Sequence, residues 1–524
     1  MGSRGGRIYV VGSGIAGLAC AAFLIRDAGI PGERIEVFEA DQLPGGSLDG
    51  AGSDEHGYLI RGGRMLEEHF GCTFDLLNDI PTIEDPTRSV AEDILAFTEE
   101  VVPSSRSRLV SHRKRIEAPR FGLSFSDRLD LMRLNTSSER TLGATSIEEH
   151  FSAHFLQSNF WIMWCTMFAF QPWHSVAEFR RYMRRFMHLL PGFNRLEGIC
   201  RTRLNQYDSI VRPLERWLAG HDVRFLYGTT VTDLEFDPTS MRATALTRQS
   251  DEASGEFALN EGDLVFVTLG SMTEGSSLGS MTRSARPSAP CPGPAWSLWH
   301  RIAKRSPAFG RPETFAGDTE KTQWESFTVT MHDPWFFEFM ETFTGNAAGT
   351  GGLVTFKESH WLMSVVLAHQ PHFSNQGEGT WVFWGYGLHG WNKGEVTGKP
   401  MFDCTGAEIL AELAHQLGLE PTRFEGASCT PCLMPHITTQ FMPRRPGDRP
   451  AVVPNPDGNV AFLGQFCEIP DDTVFTVEYS VRSAQVATYA LSDVERPVTP
   501  VYRGWREPAV IARAARVLMA NGRS

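Results

Sequence analysis

Positive charge is in short supply in this sequence. Its 524 residues carry 49 Lys and Arg against 62 Asp and Glu, a formal net charge of −13. That balance argues against free nucleic acid as a partner. Long apolar runs are missing as well. The best, Phe160 to Phe170, is 11 residues and contains a Cys and a Thr, short of the roughly 18–20 a membrane-spanning helix needs. It reads as a buried or pocket-lining helix. Cysteine is sparse: nine, an odd number, widely spaced. Such usage fits reduced thiols in a cytoplasmic setting rather than a disulfide framework. Cys429 and Cys432 have the C-x-x-C spacing, but Pro431 and Pro435 make the segment read as a loop. An attacking thiol needs a helix N-terminus instead. There is no charged-then-apolar leader, because Arg7–Val11 already reads as a buried strand. Internal repeats are lacking, and no metal ligands are assigned.

What remains is an ordinary globular composition, 41% hydrophobic and 21% charged. At about 100–200 residues per domain, the length implies two to four domains. One local basic run, Arg180, Arg181, Arg184 and Arg185, reads either as a solvated helix face or as a contact for an anion or a membrane.

The strongest motif is Gly12-Ser13-Gly14-Ile15-Ala16-Gly17. It follows the first strand directly and precedes a helical stretch, Leu18 to Arg26. A second strand, Arg34 to Phe38, then ends at Glu39, 22 residues past Gly17. A lone G-x-G-x-x-G is weak evidence, but strand–turn–helix–strand–acid is the dinucleotide arrangement. Gly12 permits the tight turn, Gly14 admits the pyrophosphate and Gly17 lets helix and sheet pack closely. The phosphates then face the free N–H groups of the helix, and Glu39 accepts from the ribose hydroxyls. A second glycine pair, Gly45-Gly46-Ser47, resembles flavoproteins in which the chain folds back over the diphosphate, so FAD is the expected cofactor. Asp263–Gly270 and Asn459–Gly464 read as later strands returning to the same sheet. The segment from Asp471 opens a helix running to about Leu491, and its N-terminal residues Phe475, Thr476 and Val477 are expected at the flavin ring.

The fold expected is therefore α/β. It has a discontinuous Rossmann-like FAD-binding domain (1–80, 205–285 and 430–495), inserted α+β tunnel and lid regions (81–204 and 286–429) and a C-terminal helical segment (496–524). The aromatic-rich inserts fit either a core or a tunnel wall.

Arg61-Gly62-Gly63-Arg64-Met65-Leu66-Glu67-Glu68-His69-Phe70 is unusual. Leu66, Phe70, Phe74 and Leu77 have the spacing of one buried helix face. Met65, Glu68 and His69 fall on a neighbouring face, with Glu67 pointing away. Two glycines before this helix bring backbone close to a flat ring; the plainer alternative is a glycine loop before a core helix.

This stretch resembles the R-G-G-R-E-M-x-x-H signature of the oleate hydratases, FAD-containing fatty acid hydratases also called myosin-cross-reactive antigens. The likeness continues through Phe168–Ser175, Glu178–Tyr182, Asn205–Ser209, Val231–Leu234, Gln440–Arg444 and Phe475–Arg482, most of the chain. It implies addition of water across an isolated cis double bond of an unsaturated free fatty acid, with FAD in a structural and electrostatic role. Val231 and Ser271 join the cofactor set on the same ground. Protonating an unactivated alkene demands a placed acid, an oriented water and nearby negative charge in a mostly dry tunnel. Tyr207, in N-Q-Y-D-S, matches the motif tyrosine and is the expected proton donor or water-orienting group.

Two departures stand out. Met65 replaces the glutamate of the signature and can neither hold a water strongly nor carry charge. Glu68 or His69 one turn on, Glu67, or Tyr207 with the flavin would have to serve instead. The stretch from Trp361 to Phe373 resembles the carboxylate-binding segment, but Val366 and Ala368 stand where the family has Thr and Asn. His372 is retained and is the expected anchor. Trp505–Arg523 reads as a basic amphipathic helix with Val510, Ile511, Ala514, Val517 and Leu518 on one face, suited to a membrane surface or to packing on the protein. The rival readings are a redox flavoenzyme of the amine oxidase and desaturase type, and an inactive flavin- and lipid-binding relative.

Overall fold

A computed structural model describes residues 5–48, 50–63, 65–251, 253–287 and 293–520. Arg64 lies outside the described residues. The organising element is a five-stranded parallel sheet. Its order is Val460–Leu463, Leu264–Thr268, Ile8–Val11, Ile35–Phe38 and Arg224–Leu226. Both later strands expected beside the first are in it: Val10 pairs with Phe266, which pairs with Ala461. All but the edge strand Arg224–Leu226 are buried on both faces, as parallel strands sandwiched by other layers are.

The helix Ile15–Arg26 follows the glycine turn, and Ile15 to Leu24 are all buried. Small residues (Ala16, Gly17, Ala19, Ala21, Ala22) let it press on the sheet on one side and on the helix Val477–Leu491 on the other. At Gly17 no side chain is tolerated, since a Cβ there would lie 1.9 Å from the Gly12 carbonyl oxygen.

A second sheet of eight strands carries the inserted region. Its order is 277–278, 428–434, 324–331, 381–387, 363–366, 353–356, 107–111 and 114–117. A short hairpin, Gly50–Ser53 with Gly57–Ile60, lies against it and donates from Tyr58 and Ile60 backbone N–H to the hydroxyls of Thr330 and Thr328. The Cys429–Cys432 segment belongs to this sheet. It is the strand Ser428–Met434, not the loop its prolines suggested. Three residues apart on a strand, the two thiols point to opposite faces, and both are buried.

Helices between residues 125 and 195 form the remaining layer. The apolar run expected to be a buried helix is one, Asn159–Phe168. The basic run lies on the helix Val176–Arg185, but it is not solvated. Arg180, Arg181 and Arg185 are buried. Arg181 binds Glu139 at 2.7 and 2.8 Å and Glu468 at 2.7 Å. Glu178 on the same helix accepts from Arg444 and Arg449, each at 2.9 Å. Carboxylates arriving from distant segments, invisible to a local reading, reverse the expectation. No helix among the described residues is long and apolar enough to cross a membrane.

Candidate functional site

A cleft of about 370 Å³ opens at the N-terminus of the first helix. Gly12, with φ +94°, turns the chain off the first strand. Gly14 is the helix N-cap, with no side-chain cap, so the first N–H groups face the cleft. Gly45 and Gly46, both at positive φ, fold a second loop over this turn; Gly45 N–H donates to the Ser13 carbonyl at 3.0 Å. Glu39 sits at the end of the second strand, where its carboxylate accepts from Ser13 N–H at 2.8 Å and Ser13 Oγ at 2.6 Å. Ile15, Ala16, Ser47, Arg61, Val231 and Ser271 complete the lining among the residues singled out from sequence. Glu274, which sequence reasoning missed, also lines this cleft. Burial pushes its carboxyl up to about 7, helped by Asp41 and Glu39 and opposed by the N–H groups of Ala295 and Trp296.

From Arg61 the chain passes inward. Gly62 and Gly63 line smaller cavities under the cleft. The helix expected from Met65 onward is absent; it begins only at Gly71 and runs to Leu77. The cause is Glu67, expected to point away from the site but buried within it. Its Oε2 accepts from His69 N–H at 2.9 Å, from His69 Nδ1 at 3.0 Å and from His188 Nε2 at 3.2 Å. Its Oε1 lies 2.6 Å from Arg185 Nη1. A side chain bonding the backbone two residues on competes with helical geometry. Burial alone would raise the Glu67 pKa, but His188, His69 and Arg185 hold it well below the usual carboxylate range. Glu68, by contrast, is turned to solvent, with a side chain 74% exposed. His69 is half-buried and stacks on Tyr502 at 3.7 Å. Glu67, His69 and His188 have the spacing of a metal-ligand cluster, but Arg185 already supplies the positive charge that an ion would bring.

Met65 shares one cavity with Glu67, Phe168, Tyr182, Phe475, Thr476 and Val477. Thr476 caps the helix Val477–Leu491 by accepting from Tyr479 N–H at 3.1 Å, so this helix starts at the cavity wall. Phe475, at φ +69°, turns the chain into it. Tyr182 donates to the Val474 carbonyl at 2.5 Å. The sequence signals for Tyr182 were its place in the family-like block Glu178–Tyr182 and one turn before Arg185 on the same helix, and the second becomes informative only once Arg185 is seen to pin Glu67.

Tyr207 lies elsewhere. It opens a π-helical turn, Tyr207–Val211, and lines an outer groove with Asp208, Arg212 and Phe373. It does not share a cavity with Met65. The adjoining residues Asn205 and Gln206 face a different cavity, lined also by Arg201, Val366, Ala368, His369, His372 and Trp384. The backbone carbonyl of His372 accepts from Asn205 N–H at 2.8 Å. Burial, then Arg201, pushes the His372 imidazole down to about 4, so it is neutral at pH 7.

The C-terminal helix, Pro508–Met519, turns Val510, Ala514 and Val517 inward against the segment Met187–Arg195. Ile511 and Met519 are exposed.

The parallel sheet, the glycine turn and the uncapped helix N-terminus over one cleft define a Rossmann-like dinucleotide fold. Solved structures share it. Cyclohexylamine oxidase from Brevibacterium oxydans IH-35A matches with a TM-score of 0.55 at 14% identity, over 94% of this chain and 100% of that one. A putrescine oxidase redesigned in its cofactor binding gives 0.52 at 12% identity, over 93% and 98%. The chain belongs to the MCRA family, whose model matches residues 6–489. It is 39% identical over 507 residues to an oleate hydratase of Streptococcus pyogenes serotype M49 (strain NZ131), spanning 94% of this chain and 86% of that protein. A linoleate hydratase of Lactiplantibacillus plantarum is 32% identical over 535 residues, spanning 93% and 94%. The family resemblance carried by the Arg61–Phe70 and Phe475–Arg482 blocks is thereby borne out.

Proposed function

We propose that this chain is a hydratase adding water across a cis double bond of an unsaturated free fatty acid, with FAD bound in the cleft. The observation that carries the reading is the run of inner cavities. It passes from Val366 and Ala368 along Gly62 and Gly63 to Met65, Tyr182 and the Phe475–Val477 helix start. Its walls are largely apolar, as an alkyl chain and a cation-like transition state shielded from bulk water require.

Gly12, Gly14 and the first turn of the Ile15–Arg26 helix fit a pyrophosphate, and Glu39 fits a ribose. Bound FAD would supply a flat wall and, when reduced, negative charge that the positive end of the Val477–Leu491 helix favours. Tyr182 is the better-placed phenol, because it shares the cavity of Met65; Tyr207 would act only from outside it. Glu67 is held ionised, with Oε2 taken by His69 and His188 and Oε1 facing Arg185, so it holds the local field and the positions of His69 and His188 rather than taking a proton. Water would be oriented by backbone near Gly63, which lines all three inner cavities. Any peripheral membrane contact of the C-terminal helix would use Ile511, Met519, Arg513 and Arg516.

The test is incubation with oleate or linoleate in ¹⁸O-labelled water without an electron acceptor. A labelled hydroxy acid is expected. Acceptor-dependent dehydrogenation would instead identify a redox enzyme, and absence of product a lipid-binding relative, which Met65 alone would favour.

A further inference from the structure

We propose that Arg201 is the carboxylate anchor of the substrate site, in place of a side-chain hydrogen bond from Val366 or Ala368. The inference takes its ligand class, a long-chain fatty carboxylate, from the function proposed above.

The backbone fixes Arg201 beside Met65. Leu66 and Cys200 form an antiparallel bridge, with N–H to carbonyl distances of 3.0 and 2.7 Å. In such a bridge the residue before one partner lies opposite the residue after the other. Met65 and Arg201 are therefore neighbours, and both line the same small cavity with Val366, Trp384 and Phe475. Arg201 also lines the adjoining cavity that holds His369 and His372. It stands where the two cavities meet.

Its guanidinium is an exception in this protein. Arg108 donates to the Phe193 and Met163 carbonyls. Arg181, Arg185, Arg449 and Arg482 each have a carboxylate within 3 Å. Arg201 Nε and Nη2 are buried with no hydrogen-bond partner, and no carboxylate pairs with it among the described residues. A guanidinium cannot shed its proton to escape burial, and its planar fork matches a carboxylate. An unpaired one against apolar walls calls for an anion from outside the chain. His369 and His372 line the same cavity, but burial lowers both imidazoles, so Arg201 is the group there that keeps its positive charge. Gly351, at φ +95°, packs beside the guanidinium, where an added Cβ would lie 3.4 Å from Nη2, an ordinary contact.

The experiment measures binding of oleate and of methyl oleate to the flavin-loaded protein by tryptophan fluorescence, Trp384 being in the cavity wall. Wild type is expected to favour the free acid by on the order of 10- to 100-fold, the range of a hydrogen bond to a charged group. Arg201→Met should bring acid and ester to near-equal affinity with the flavin spectrum unchanged, and Arg201→Lys should keep most of the preference. Retained acid preference in Arg201→Met would overturn the assignment. So would loss of flavin with acid preference intact, which would place the guanidinium on the cofactor. If Arg201→Met does not fold, wild type still decides, because equal affinity for acid and ester there overturns the proposal. Binding is read without turnover, so failure of the labelled-water assay leaves this result standing and marks the fault as lying in the function proposed.

Discussion

Replacing Arg185 with methionine tests whether the Glu67 network is a working ion pair or a set of coincident contacts. Arg185 is fully buried, and Glu67 has a side chain only 2% exposed. Removing one member of a buried pair typically costs about 3–5 kcal/mol, because the other charge is stranded. Here His69 and His188 still donate to Glu67, so the low end, about 3 kcal/mol, is expected. Glu67→Gln strands Arg185 instead. The double variant should then be more stable than the sum of the singles by about 2 kcal/mol, a coupling within the range for residues in one network. Urea unfolding of the four proteins at pH 7, followed by tryptophan fluorescence, gives the cycle. The pH dependence carries a sign. A carboxylate held below its ordinary value contributes stability that is full above about pH 4–5 and fades only as pH falls toward its folded value. Wild type should thus be flat from pH 5 to 8 on this account and lose the contribution only in strong acid, a limb absent from Glu67→Gln. Additivity of the single variants within about 0.5 kcal/mol would refute the reasoning.

Four further outcomes are expected. Gly17→Ala drives a methyl group into the Gly12 carbonyl, and should yield protein without visible flavin absorbance; normal flavin content would contradict the packing described. Glu274, titrating near 7 in the cleft, adds negative charge as pH rises, so FAD affinity should fall between pH 6 and 8 in wild type and stay level in Glu274→Gln. Tyr182→Phe should lower hydration at least 100-fold, on the scale of a lost general acid, while Tyr207→Phe keeps most of it; the reverse order in product assays would restore Tyr207. Truncation after Tyr502 uncovers the surface that Val510, Ala514 and Val517 bury, and should lower the unfolding midpoint whether or not liposome binding changes.

The dinucleotide cleft was legible because each of its parts is local. A strand, a glycine turn and a helix follow one another within Ile8–Arg26, and their geometry depends on neighbours in the chain. The two distant strands were legible through their apolar runs ending in glycine. The inner site was not. Glu67 and Glu68 are adjacent acids in a pattern that reads as helix; only the arrival of Arg185 and His188 decides that Glu67 goes in and Glu68 goes out. Arg181 stayed open between a solvated face and an anion or membrane contact for the same reason, since its partners lie at Glu139 and Glu468. Cys429 and Cys432 misled in the opposite sense: two prolines argue for a loop, yet Pro431 pairs with Phe327 within the sheet. Tyr207 carried a motif, but a π-helical turn sends it away from its neighbour Gln206.

The buried charges of the Val176–Arg185 helix bear on how the chain is made. Their partners are scattered: Glu67 and Glu139 precede the helix, while Arg444, Arg449 and Glu468 come 266 to 287 residues after the helix residues they bind. A ribosome that has just released this helix has produced Glu178 without either of its arginines. Until Arg444 and Arg449 emerge, Glu178 has no cation to bury against, and the last strand of the parallel sheet, Val460–Leu463, is missing as well. The cleft and the cavity therefore become complete within the same short stretch of synthesis. Cleft and cavity are timed together by where their final residues fall in the chain, and a nascent protein holding one without the other is not an expected species.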